Sequence, residues 1–84
     1  MPEITEIEVQ LNGQRLKLPD GATVRDIVAG HTKKLINEQG LAVDGSRLGI
    51  ALAIDGDVIP RSAWASRTVA PGARIDLVTA AQGG

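Results

Sequence analysis

The sequence predicts an α+β domain in which a mixed sheet of four to five strands carries one main helix packed across one face. Three stretches carry this reading. "IEVQLNGQRLKL" (residues 7–18) alternates apolar and polar residues about an Asn-Gly pair. "TVRDIVAGHTKKL" (23–35) repeats apolar residues at helical spacing. "ARIDLVTA" (73–80) alternates once more, far down the chain. A single helix cannot cover both faces of a sheet, so one sheet with the helix laid over one side is the simplest way to bury these stripes.

The first stretch predicts a β-hairpin, because Asn12 and Gly13 both tolerate the positive φ of a two-residue turn. Such a turn sets Val9 opposite Leu16 and Ile7 opposite Leu18, which puts the apolar side chains on one face. Thr23 is placed to cap the helix, with Asp26 three residues on to complete a capping box. Val24, Ile27, Val28, His31 and Leu35 form its apolar stripe, on which His31 is expected to pack rather than to catalyse. Gly30 weakens the helix, and the end is expected before Gly40, a suitable left-handed cap. Lys33 and Lys34 are expected on a wet helix face. "LAVDGSRLG" (41–49) reads as loop. "IALAI" (50–54) reads as a strand with Ile50, Leu52 and Ile54 on one face. Asp55-Gly56 turns it into a short second strand that Pro60 stops. "RSAWAS" (61–66) predicts a short helical turn, and Ala70–Ala73 a type II turn with Pro and Gly at its centre. In the last strand Ile75, Leu77 and Thr79 share a face.

The chain between the last two strands is too long for a simple hairpin. Setting the final strand beside the first, in parallel, puts it mid-sheet, and that arrangement is the β-grasp. We expect residues 1–80 to form one such domain, with 81–84 as a flexible tail.

Composition narrows the function. With 84 residues the chain suffices for one domain. It holds no cysteine, which removes disulfides, thiolate metal sites and a cysteine nucleophile. The net charge is −1 and the basic residues are scattered, which speaks against nucleic acid. No apolar run approaches the ~20 residues that span a bilayer. "MPEITEIEV" (1–9) is too polar for an export signal, so the expected location is cytoplasmic. Trp64 is the only aromatic residue. A core of Ile, Leu, Val and Ala leaves little room for a buried ligand pocket, so neither a catalytic residue nor a bound cofactor is expected. Asp44, Asp55 and Asp57 read as turn formers rather than metal ligands.

The end of the sequence, "TAAQGG" (79–84), points to a different chemistry. The four residues after Ala80 can extend ~13–14 Å from the sheet. A free α-carboxyl has a pKa of ~3.3–3.7 and is a carboxylate, hence a poor electrophile, at neutral pH. Attack of its oxygen on the α-phosphorus of ATP would give an acyl-adenylate, open to a sulfur or amine nucleophile. An enzyme performing that reaction must align the tail with ATP and Mg²⁺ in a narrow channel, where glycine has no side chain to clash. Gly84 is therefore the candidate modified residue, with Gly83, Gln82 and Ala81 as the segment a partner would recognise. The bland alternative is an idle glycine-rich end.

"VIPRSAWAS" (58–66) and "GARIDLVTAAQGG" (72–84) together resemble the ThiS family of sulfur carriers in thiamine biosynthesis, in the ubiquitin-like ThiS/MoaD superfamily. The matching residues are Pro60, Arg61, Ser62 and Trp64, then Thr79, Ala80, Gln82, Gly83 and Gly84. "LNGQ" and "DGATVRDIV" fit more loosely. The stretch Lys33–Leu48 is longer and more polar than a compact member carries. The resemblance implies a carrier, not an enzyme: a ThiF-type adenylyltransferase activates Gly84, sulfur drawn from cysteine by a desulfurase leaves a thiocarboxylate, and thiazole synthase (ThiG) accepts that sulfur. It implies no bound cofactor, ATP and Mg²⁺ being used by the partner, and a monomer when free. Arg61 and Trp64 become candidate partner contacts, against the alternative of packing for Trp64 and solvation for Arg61. A molybdopterin-synthase carrier of the MoaD type, a ubiquitin-like modifier of lysines and an inert interaction module remain alternatives.

Overall fold

The structure is a computed structural model that describes residues 5–79. Five strands, β1 (Glu6–Leu11), β2 (Gln14–Pro19), β3 (Ile50–Ile54), β4 (Asp57–Val58) and β5 (Arg74–Thr79), form one sheet in the order β2-β1-β5-β3-β4. A helix, α1 (Val24–Thr32), and a 3₁₀ turn (Arg61–Ala63) complete the elements. The sheet is mixed: β5 runs parallel to β1 and antiparallel to β3. This is the expected β-grasp arrangement, with the last strand at the centre.

The first hairpin has the expected register, Val9 opposite Leu16 and Ile7 opposite Leu18. Its turn places Asn12 at φ 51° and Gly13 at φ 82°, the left-handed region an Asn-Gly turn requires. The β3–β4 turn repeats the device with Asp55 and Gly56.

Thr23 caps α1 as expected. Its hydroxyl accepts from the Asp26 N–H, and the Asp26 carboxylate accepts from the Thr23 N–H. Two further N–H groups of the first turn, those of Val24 and Arg25, donate to the carbonyls of Arg67 and Trp64. The helix start is thus tied to the chain that follows the 3₁₀ turn, and its unpaired donors are met there.

The helix ends earlier than the sequence suggests. Lys33, at φ 59°, is the left-handed cap and donates to Ala29 O. The Thr32 hydroxyl bonds back to Val28 O and accepts from the Lys34 N–H. This stop lets the chain turn so that Ile36 reaches the core and bridges to Ala42. Leu35 therefore leaves the helical stripe and is 76% exposed, and His31 is also exposed rather than packed. Lys34 does not sit on a wet helix face: its ammonium meets Ser46 and Asp44.

The core lies between the sheet and α1. Val24, Ile27 and Val28 of the helix meet Ile7, Val9, Ile50, Leu52, Ile54, Ile75 and Leu77 of the sheet. Ile36, Ala42 and Leu48 bring the long connection into the same cluster. No buried side-chain nitrogen or oxygen among the described residues lacks a partner. No helix among them is long and apolar enough to cross a membrane.

Candidate functional site

The site implied by the sequence lies where β5 delivers the chain toward its end. Ala81, Gln82, Gly83 and Gly84, with the expected end of pairing at Ala80, lie outside the described residues. What the structure shows is the root to which they attach.

That root is held on both sides as far as Leu77, and by β3 on to Thr79. On one side Thr79 pairs with Ile50, and the register runs without interruption to Ile54 opposite Ile75. On the other, the main chain of β1 supports β5 only as far as the bond from the Asn12 N–H to Ile75 O. The Asn12 side chain then takes over. Its Nδ2 donates to Leu77 O at 3.1 Å, and its Oδ1 accepts from the Leu77 N–H at 2.8 Å. A side-chain amide carries the same donor and acceptor as a peptide unit, so Asn12 extends the parallel ladder after β1 has turned away. Asn12 was legible as a turn former. Its second role was not, since nothing local tells which strand lies beside the turn.

The outer sheet face carries two exposed valines, Val78 beside the root and Val58 farther along, toward the β3–β4 turn. Val78 is 63% exposed and opposite Ala51, and Val58 is 71% exposed and opposite Ala53. Both valines lie on the sheet surface away from α1.

Trp64 and Arg61 have separate fates. Trp64 is 1% exposed and belongs to the core, with its indole N–H donating to Ile59 O at 3.0 Å. It has almost no ring surface to offer, which favours packing, the alternative weighed for it, over partner contact. Arg61 is half-buried, not freely solvated. Its Nη2 donates to Leu48 O at 2.8 Å, and its guanidinium lies 5.5 Å from the centre of the Trp64 ring. Gly40 is neither the helix cap nor a free turn residue. At φ 80° it lies so close to Arg61 that an added Cβ would stand 2.5 Å from Arg61 O. The long connection is therefore pressed onto the "PRSAW" segment, and sequence reasoning missed this contact because the two are distant in the chain.

A cleft of about 420 Å³ opens between these pieces, lined among others by Asn37, Leu41, Ser46, Arg47, Leu48 and Arg61. Asp44, beside it, is held below the usual carboxylate range by the hydrogen bonds it accepts from the Ser46 hydroxyl and N–H, aided by Lys34. Among the described residues, no three His, Cys, Asp or Glu side chains gather as metal ligands would.

A mixed sheet with its last strand central and one helix across one face defines a β-grasp domain. The ThiS family model matches residues 4–84, and the chain belongs to that family of small sulfur carriers within the ThiS/MoaD superfamily. No curated protein matches the chain.

Proposed function

We propose that Gly84 is adenylated by a ThiF-type adenylyltransferase using ATP and Mg²⁺, that persulfide sulfur drawn from cysteine by a desulfurase displaces AMP and a thiol reductant cleaves the resulting acyl disulfide to a thiocarboxylate, and that this is presented to thiazole synthase for thiamine biosynthesis. The observation that carries this reading is the family match, which extends through the Gln82-Gly83-Gly84 ending. The fold supports it physically. The adenylating partner has to bring carboxylate, ATP and metal into line, and a firmly held root lowers the number of conformations it must select from. In this cycle the domain is a cosubstrate, Gly83, Gln82 and Ala81 are the segment threaded into the partner, and Val78 beside the root offers that partner an apolar contact.

Deletion of Gly84 tests the proposal. ATP–pyrophosphate exchange with the adenylating enzyme is expected to vanish while the melting temperature stays that of the intact chain. Full exchange by the shortened chain would refute it. A mass gain of sulfur for oxygen on the C-terminal peptide distinguishes a carrier from a lysine modifier, which would leave an isopeptide remnant. The pathway is read from the acceptor: thiazole formation with thiazole synthase, or dithiolene formation if the chain serves molybdopterin synthase.

A further inference from the structure

We propose that the cleft between Arg47 and Arg61 receives a carboxylate side chain of the protein that takes up the tail; this rests on the carrier reading above. Two arginines, Arg47 and Arg61, line the cleft and no acidic residue does. The two ion pairs among the described residues, Arg15–Glu8 and Lys34–Asp44, involve neither arginine. Asp44, the nearest acid in sequence, is occupied by Ser46 and Lys34.

Arg61 is arranged in advance. Gly40 presses on its backbone, Leu48 O takes one N–H, and the Trp64 ring lies beside the guanidinium. A guanidinium has five N–H donors in a rigid fork, so one bond to Leu48 O leaves a pair for a two-oxygen acceptor. A side chain already fixed loses less entropy on binding, and buried arginines with apolar neighbours dominate many interfaces. Here the apolar neighbour is Leu41, which lines the cleft at 50% exposure.

Position selects the occupant. Leu48 and Gly49 line the cleft, and the next residue, Ile50, pairs with Thr79 at the root of the tail. A protein that captures the tail must come against this end of the sheet and is placed to insert an Asp or Glu. The fork suits a carboxylate or a phosphate alike, and it is the Leu41 wall that favours an acid on a protein surface over a free, strongly hydrated anion.

Two measurements test this. In the first, ¹⁵N-labelled full chain is titrated with N-acetylglutamate α-amide and, separately, with inorganic phosphate, following the arginine Nε–H signals. Saturable shifts at Arg47 and Arg61 with the glutamate probe are expected. No such shifts, or stronger ones with phosphate, would overturn the proposal. This arm needs no adenylating enzyme, so it stands or falls apart from the carrier reading.

In the second, Arg47→Glu is expected to raise KM for the carrier about tenfold in ATP–pyrophosphate exchange, with kcat within about twofold and an unchanged melting temperature. Arg47→Lys is expected to recover most of that loss. Arg61→Lys, which keeps the charge and loses the fork, is expected to raise KM as well. Unchanged KM in both Arg47→Glu and Arg61→Lys would overturn the proposal.

Discussion

Glycines at two positions show how differently one residue type acts. Gly30 sits within α1 with open space where a Cβ would project. Gly30→Ala is therefore expected to stabilise the fold by about 0.5–1 kcal/mol, since alanine loses less backbone entropy in a helix. Gly40 has positive φ and the Arg61 carbonyl within 2.5 Å of a new Cβ. Gly40→Ala is expected to destabilise by about 1–3 kcal/mol, from strain and overpacking together. Urea unfolding of the pair checks both signs, and equal effects would contradict this account. The same scale shows what the sequence left hidden. Gly40 reads as a helix cap because Gly after an apolar-periodic run usually is one. The Thr32 hydroxyl and the left-handed Lys33 end the helix instead, and their advantage is the burial of Ile36, which is decided by packing.

Among the elements, β5 depends on a support that is not a strand. Asn12→Gly keeps a residue that accepts φ 51° while removing the amide that bonds Leu77. It is expected to lower stability by about 1–3 kcal/mol, through the two lost bonds and the extra freedom of the unfolded chain. Amide exchange at Leu77 should quicken more than exchange at Val9, and uniform quickening would deny Asn12 its local role. Elements with local chemistry were the legible ones. The first hairpin, the Thr23 cap, the faces of β3 and β5 and the Gly72 turn all follow from neighbours within a few residues. The burial of Trp64, the exposure of His31 and Leu35 and the cleft at Arg61 depend on segments far apart in sequence, and composition carries no sign of them. The carrier reading rests on the "VIPRSAWAS" and "GARIDLVTAAQGG" motifs together, each of them local.

For the whole molecule, position in the sheet should govern protection. β5 is bonded on both sides, by β1 and Asn12 on one and by β3 on the other, whereas β2 and β4 are edge strands. Native-state hydrogen exchange is expected to be slowest in β5 and the adjoining strand β1, and faster in β4, which has two residues. A β4 as protected as β5 would contradict the sheet order as the source of rigidity. The net charge of −1 is small, so the carboxylate-accepting cleft at Arg47 and Arg61 acts through local field rather than through long-range attraction.

The Asn12–Leu77 pair joins residues 65 apart in the chain. A nascent polypeptide on the ribosome can make the first hairpin and the helix early, yet has nothing to set between β1 and β3 until the closing strand emerges. Assembly is consequently a late and comparatively slow event, governed by loop closure over most of the molecule. Until it happens, the exposed borders of β1 and β3 are open to pairing with other chains, so translation speed and chaperone supply should bear on yield.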